Sequence, residues 1–160
     1  MSSAESESAP NPRTPRELIE RTDASWQSWR AATDGIPDAR MSEPVTGHWT
    51  AKDLIGHVAF WDDWVIGHCQ RILAGQPEPD DDSALDALNQ NQVKASATAS
   101  VADQLRYRDE AHARLRQFLT TIRDDETQFG RLVEALEWET YKHYDEHAAE
   151  VRAWREREGI

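Results

Sequence analysis

The chain has almost no cysteine and no long apolar run, and both shortages limit what it can be. Cys69 is the only cysteine among 160 residues, so an intramolecular disulfide is excluded and a reducing compartment is expected. No stretch approaches the roughly 20 consecutive apolar residues of a membrane-spanning helix. The first residues are polar and acidic, unlike a signal peptide. We therefore expect a soluble, cytoplasmic protein without a membrane partner.

Positive charge is also scarce. Lys and Arg number 18 against 30 Asp and Glu, which gives a formal net charge of −12. Such a surface repels phosphate backbones, so we expect no sequence-independent binding of nucleic acid. The glycine spacing of phosphate-binding loops is missing, and so is the Gly-x-Ser-x-Gly motif of serine hydrolases. Tryptophan, in contrast, is abundant, and we expect most of the seven copies in the core.

Four long amphipathic segments predict an all-α fold. Apolar residues recur at helical spacing over about residues 14–33, 50–73, 100–123 and 131–158. The first three begin with a Ser or Thr that is followed three residues later by an acid, which is the pattern of a capping box. A short extra helix is expected at about 83–94. Since no alternating strand pattern is present, we predict a four-helix bundle with this short helix between its second and third helices.

The remaining segments are predicted to be a tail and a linker. Residues 1–13 have no aliphatic anchor and are expected to be disordered, which leaves one domain at residues 14–158. The segment 77–82 combines two prolines with a run of aspartates, and we expect it to be a linker.

Two histidines four residues apart are the strongest functional feature of the sequence. His143 and His147 lie in the segment 138–154, which has no Pro or Gly, and helical spacing places both side chains on one face. Two imidazoles so placed can bind one divalent metal ion, and the alternative is a pair of solvated histidines. His57 in the second predicted helix would complete a site of three histidines. In bundles, metal sites form from inward side chains on facing helices.

The segments that carry these histidines resemble a known family. Residues 49–61, WTAKDLIGHVAFW, are similar to the second-helix signature of the DinB-like (DinB/YfiT) superfamily, and residues 141–147, YKHYDEH, to its last-helix signature. The resemblance covers about residues 14–155. Within the superfamily, the segment LDALN at 85–89 and the pair at 153–154 are most similar to the ClbS/DfsB group.

The resemblance implies a four-helix bundle that holds a divalent metal through one histidine of the second helix and two of the last. Carried onto this sequence, the implied ligands are His57, His143 and His147. Three neutral imidazoles leave a coordination position open, as in catalytic sites, and such a metal activates water or a thiolate. Zinc is the default metal for this ligand set, with nickel, iron and copper as alternatives.

The activities implied by the superfamily include hydrolysis and the transfer of a low-molecular-weight thiol to an electrophile. The first hypothesis is therefore a metal-dependent enzyme acting on a small molecule. The second is a non-catalytic protein that sequesters a toxic small molecule, as the resemblance to self-resistance proteins allows. The third is a structural homodimer without metal. Tyr144, Trp61 and Trp64 are candidate pocket residues, although a core position is the simpler expectation for each.

Three carboxylates are candidates for supporting roles. Asp53 and Glu139 each lie one turn before a histidine and could orient it, although capping or an ordinary solvated charge is the simpler interpretation. Glu146 could act as a base if it faces the metal. The His-x-x-Glu-His pattern of inverted zinc peptidases also fits residues 143–147. We reject that fold, because only 13 residues follow His147.

The remaining histidines and the cysteine are expected to be structural. His68 returns to the face of His57 about 16 Å further along the helix, too far to join the same site. Cys69 is expected to be a small buried apolar residue. His112 could be a fourth ligand, but a satisfied histidine inside the bundle is the preferred interpretation. His48 precedes the second helix and is expected to be exposed.

Overall fold

The computed structural model describes residues 9–77 and 83–160, and these residues are mainly helical. The described α-helices are α1 (Pro15–Thr33), α2 (Ala51–Leu73), α3 (Ser83–Thr98), α4 (Val101–Leu119), α5 (Phe129–Glu139) and α6 (Tyr141–Glu158). A 3-10 turn at Asp38–Arg40 and a hairpin of β1 (Pro44–Thr46) and β2 (Trp49–Thr50) connect α1 to α2. The predicted all-α bundle is confirmed. Of the predicted disordered tail at 1–13 and the predicted linker at 77–82, residues 1–8 and 78–82 lie outside the described residues.

The long helices pack as neighbouring pairs around a continuous interior. α1 lies along α6, α2 lies along α4, and α5 packs on both α2 and α6, while α3 packs on α2. One apolar cluster is built around Trp29, Ile55 and Trp154, and a second around Leu115 and Leu132. Each such side chain stabilises the fold by about 1.5–3 kcal/mol when it leaves water. Within the described residues, no helix is both long and apolar enough to cross a lipid bilayer.

The start of α2 is fixed by the predicted capping box. Thr50 Oγ1 accepts from the backbone N–H of Asp53, and Asp53 Oδ2 accepts from the backbone N–H of Thr50, both at 3.1 Å. At α1, Thr14 Oγ1 accepts from the N–H of Glu17, but the Glu17 carboxylate accepts from Arg13 instead of Thr14. These caps fix where α1 and α2 begin and therefore which residues face the interior.

The last helix was predicted to be continuous over about 131–158, and this prediction is wrong. The chain leaves the helical region at Thr140, with φ −121° and ψ −99°, and so divides α5 from α6. The Thr140 hydroxyl donates to the carbonyl of Leu136 at 2.7 Å, a type of back-bonding that bends helices. Trp138, just before the break, is 62% exposed and is an exception to the expected burial of tryptophan.

The third long helix ends earlier than predicted, at Leu119 instead of about residue 123. Thr120 Oγ1 donates to the carbonyl of Gln117, and Thr121 Oγ1 donates to that of Phe118, both at 2.6 Å. At the same place the backbone bonds shorten to three residues: the N–H of Thr121 donates to the carbonyl of Phe118, and that of Ile122 to the carbonyl of Leu119.

The sequence showed no strand pattern, and β1 and β2 nevertheless pair as a short antiparallel hairpin. With three and two residues, the strands are too short to show an alternating pattern in the sequence. Gly47 adopts a φ of +54° between them, a left-handed conformation that favours glycine. The hairpin places Trp49 directly before α2, next to the histidine of its second turn.

Candidate metal centre

Three histidines from two helices meet at one point in the bundle. His57 lies in the second turn of α2, and His143 and His147 are one turn apart near the start of α6. Nε2 of His57 and Nε2 of His143 are 2.9 Å apart, and one nitrogen from each of the three rings lies within 4.8 Å of the others. His57 is 8% exposed, His143 is 9% exposed and His147 is partly buried. The structure therefore brings together all three residues that the sequence suggested as ligands.

The spacing of these nitrogens is compatible with a shared metal ion. Nitrogen ligands of tetrahedral zinc are about 3.3 Å apart, which lies between the closest and widest separations in this cluster. Without a metal, the contact between Nε2 of His57 and Nε2 of His143 needs a proton on one of the two nitrogens. A metal cation bound by both nitrogens would take the place of that proton. These side chains could therefore bind a divalent metal.

Burial keeps the rings in the neutral form that binds metal. The pKa of His57 is lowered to about 4, first by burial and then by the charge of His147, while the hydrogen bond to Gln92 opposes the shift. The pKa of His143 is held well below 6.5 by burial, then by the charges of His147 and His57, and the backbone of Glu139 opposes this. Near neutral pH, both rings are therefore unprotonated bases with a lone pair available for a metal.

A chain of hydrogen bonds from α3 fixes the tautomer of His57. Trp61 Nε1–H can only donate, and it donates to Oδ1 of Asn89 at 3.1 Å. Gln92 Nε2 donates to the same oxygen at 3.4 Å, which leaves Gln92 Oε1 to accept from Nδ1–H of His57 at 3.0 Å. With its proton on Nδ1, His57 directs the Nε2 lone pair towards His143. Asn89 and Gln92 were not among the predicted site residues.

Glu150 has the same effect on His147. Nδ1–H of His147 donates to Glu150 Oε2 at 2.7 Å, so the other ring nitrogen is left for the shared point. The orienting carboxylate is thus three residues after the histidine on the same helix, and this spacing was available as a sequence pattern. Asp53 instead caps α2, as its simpler interpretation held. Glu139 is partly buried, which raises the pKa of its carboxyl to about 7.

The other candidates lie away from the cluster. Glu146 is exposed, and its role as a base stays a prediction. Cys69 is fully buried, and burial raises the pKa of its thiol to about 12, as fits a structural residue. His48 is exposed, as expected. His68 stacks on Trp64 with ring centroids 5.0 Å apart, towards the far end of α2.

His112 belongs to a separate buried network. The Tyr144 hydroxyl donates to Asp62 Oδ1 at 2.6 Å and accepts from Nδ1–H of His112 at 3.2 Å. The His112 ring also stacks on Trp26, with centroids 3.9 Å apart and planes within 7°. These contacts account for His112 without a metal, and they place Tyr144 in the core.

Aromatic rings surround the three histidines. The rings of Trp49 and Trp61 lie 4.9 Å and 6.4 Å from that of His57, and Trp29 lies 6.4 Å from His147. Between the hairpin and α3, a cavity of about 570 Å³ is bordered by Trp49. This volume is large enough for a small molecule. None of the three clustered histidines lines the cavity, and Trp49, whose ring contacts that of His57, connects it to the cluster.

The structure is a helical bundle in which two helices direct three histidines at one point, a geometry that could hold a metal ion. The family of the chain follows from its sequence. The profile of the DinB superfamily matches residues 21–147, so the chain belongs to the DinB superfamily. The predicted resemblance is thereby confirmed. No curated protein matches the chain.

Solved structures with this fold include two proteins of the predicted ClbS/DfsB group. An uncharacterised protein of Escherichia coli UTI89 superposes with a TM-score of 0.80 at 17% identity, covering 94% of this chain and 97% of its own. The sibling lethal factor precursor DfsB gives 0.75 at 17% identity, with 92% and 98% covered. The colibactin self-resistance protein ClbS, solved in complex with a dsDNA, gives 0.76 at 14% identity, with 90% and 96% covered. At these identities the similarity shows the fold alone.

Proposed function

We propose that the chain is a metal-dependent enzyme acting on a small molecule, with a divalent metal held by His57, His143 and His147. The observation that supports this most is the convergence of three ring nitrogens within 4.8 Å in a largely buried site. Gln92 and Glu150 strengthen the proposal, because each fixes the ring of one histidine in the tautomer that a metal ligand needs. Zinc is the metal proposed from ligand chemistry, with nickel and iron as alternatives.

The metal would supply a Lewis acid with a position open to water or a thiol. The contribution of the protein is orientation and the exclusion of bulk water. Gln92 and Glu150 hold the Nδ1 protons of their histidines, and the rings of Trp49 and Trp61 cover the ring of His57. In such a low-dielectric setting, charges act more strongly on a bound molecule than they do in water.

Hydrolysis and transfer of a low-molecular-weight thiol are both proposed reactions. For transfer, the thiol would have to come from a second small molecule, because Cys69 is fully buried and its thiol pKa is raised to about 12. The new bond would join the sulfur to the electrophilic carbon, the leaving group would depart with its electron pair, and the thiol proton would pass to solvent. Hydrolysis would need only water as the second reactant.

Metal analysis of protein purified without a histidine tag tests the proposal. We expect about one equivalent of divalent metal per chain in the wild type and loss of that metal in His143→Ala. His112→Ala is the matched control, because His112 is also buried but belongs to the other network. Circular dichroism shows whether each variant is folded. A wild type without metal after growth with zinc, nickel or iron, or equal loss in both variants, contradicts the proposal.

A second candidate function is sequestration without catalysis, and the cavity of about 570 Å³ beside the cluster favours it. DfsB and ClbS carry names that refer to lethal factor and self-resistance, which makes protection a reasonable comparison. A metal-free protein that retains a small molecule through purification would favour this alternative. Metal-free protein that binds no ligand and sediments as a dimer would favour the structural homodimer.

Nucleic acid remains to be tested as a partner. The net charge of −12 disfavours binding to phosphate backbones, whereas ClbS was solved with a dsDNA. We propose that this chain does not bind DNA. A mobility-shift experiment at low salt checks this, and a retarded complex at micromolar protein would contradict it.

A further inference from the structure

A second cavity, of about 400 Å³, lies between α2, α3 and α4, and like the first it is lined by none of the three clustered histidines. The following polar residues lie in its wall: Asn91, Gln92, Ser96, Gln104 and Tyr107. Among the described residues of this wall, none carries a formal charge, although charged residues make up 30% of the chain. Burial raises the pKa of Tyr107 to about 12, so its phenol stays neutral. A charged ligand would find no counter-charge here, so the lining favours a neutral one.

Ser96 gives the cavity an unused hydrogen-bonding group. Ser96 is 1% exposed, and its hydroxyl makes no hydrogen bond within the described part of the chain. Thr98 on the same helix shows the usual alternative, since its hydroxyl donates to the carbonyl of Ala95 at 3.1 Å. Burying a hydroxyl without a hydrogen-bond partner costs free energy. A ligand in the cavity would be close enough to form a hydrogen bond with the Ser96 hydroxyl.

The wall on the α2 side depends on the lack of a side chain at Gly56. A Cβ at this position would overlap Nε2 of Gln104. Because Gly56 leaves that space, the Gln104 amide can lie against α2, where its Nε2 donates to the carbonyl of Lys52 at 3.4 Å. Phe60 and Leu88 add apolar surface to the same cavity. Apolar walls with a few fixed polar groups are typical of small-molecule sites.

We propose that this cavity is a binding site for a neutral small molecule that carries both a hydrogen-bond donor and an acceptor, such as a carboxamide or a lactam. The side-chain amide of Asn91 and the hydroxyl of Ser96 each offer both kinds of group. The amides of Gln92 and Gln104 are held in place by hydrogen bonds within the protein and add fixed polar atoms to the wall. Gln92 also accepts from His57, so the ligand would touch the side chain that orients this histidine. The proposal does not depend on the proposed metal function.

Benzamide, which is neutral, is the probe that tests the proposal. Benzoate, which is negatively charged, and benzamidine, which is positively charged, have a similar shape and serve as controls. We would titrate metal-free protein in the presence of a chelator and follow the NMR signals of Gly56, Ser96 and the Gln104 side-chain amide. We expect saturable shifts with benzamide and at least tenfold weaker binding of the two charged compounds. Shifts that do not saturate up to the solubility limit, or equal binding of all three compounds, would overturn the proposal.

Two variants separate a binding role from a structural one. Ser96→Ala should weaken benzamide at least fivefold without lowering the melting temperature, because the hydroxyl has no protein partner to lose. Thr98→Ala removes an exposed hydroxyl from the same helix and should bind benzamide as the wild type does. Gly56→Ala should weaken binding through Gln104. Wild-type affinity in both Ser96→Ala and Gly56→Ala would overturn the proposal, whereas His143→Ala should bind benzamide normally whatever its metal content.

Discussion

The bundle contains the cluster of three histidines and, apart from it, the single buried histidine His112. The two sites differ in how the ring nitrogens are used. His112 is bound by the Tyr144 hydroxyl and stacked on Trp26. In the cluster, His57 and His143 instead turn their Nε2 atoms towards each other at 2.9 Å. Burial lowers the pKa of both His57 and His112 to about 4, so a lowered pKa does not distinguish the two groups. The convergence of ring nitrogens from three histidines is what distinguishes the candidate ligand site from a core histidine such as His112.

The largest expected effect is stabilisation by metal in only one of these groups. Zinc at about 1,000 times its Kd would stabilise the folded state by about 4 kcal/mol. For a chain of this size, that corresponds to a rise in Tm of roughly 8–16 °C. Calorimetry with zinc and with a chelator should show this rise in the wild type and in His112→Ala, and no rise in His143→Ala. If His112→Ala also showed no rise in Tm with zinc, the metal effect would not distinguish the cluster from His112.

The next effect concerns the side chains that orient the clustered rings. Gln92→Ala and Glu150→Ala should each weaken metal binding by about 10–100-fold, because the ring tautomer is no longer fixed. Gln90→Ala and Glu146→Ala are matched controls, since both residues are exposed on the same two helices. Competition with a chelating dye measures the affinities. Equal affinities in variants and controls would show that the two hydrogen bonds do not orient the site.

A smaller effect on stability is expected in the buried hydrogen-bond network of Asp62, His112 and Tyr144. Tyr144→Phe removes the hydroxyl that Asp62 and His112 share, which should cost about 1–3 kcal/mol of stability in urea denaturation. Metal affinity should change little. Tyr141→Phe is the control, because the buried Tyr141 hydroxyl has no partner within the described ranges and its loss should be neutral or stabilising. Equal destabilisation by the two changes would contradict the proposed network.

The smallest effect is a change in the pH dependence of stability. Between pH 6.5 and about 4, unfolded His112 binds a proton that the folded chain excludes through burial, so stability falls as the pH falls. His112→Gln removes this contribution and should reduce the slope by up to about 1 kcal/mol per pH unit. Denaturant titrations of the metal-free protein from pH 4 to 7 measure the slope. An unchanged slope would show that His112 is not held neutral by the fold.

The parts of the site that the sequence predicted are those set by local geometry. Thr50 and Asp53 cap one helix, and the spacing of His143 and His147 puts both on one face wherever a helix forms. Gln92 could not be predicted, because its role depends on how α3 packs across α2. Neither the helical period nor a capping pattern indicates that contact. Glu150 could have been predicted from its spacing from His147, but both predicted orienting carboxylates, Asp53 and Glu139, lie one turn before a histidine instead of after it.

The parts of the fold that were wrong concern where helices stop. Thr140 leaves the helical region although its N–H still donates to Leu136, and after Leu119 the backbone bonds shorten to three residues. Both changes are made by single residues and leave little trace in the apolar pattern. The hairpin at Pro44–Thr46 and Trp49–Thr50 is shorter than any window in which alternation can be recognised. The apolar pattern therefore predicted the arrangement of helices better than their ends.

The break at Thr140 also affects how tolerant the molecule should be to insertions. In an uninterrupted helix, each added residue turns everything after it by about 100°. Here α6 begins anew at Tyr141 and takes its position from α1, along which it lies. An insertion or deletion of one residue in α5 should therefore change the geometry of the break alone. The side chains of His143 and His147 should keep the direction in which they face.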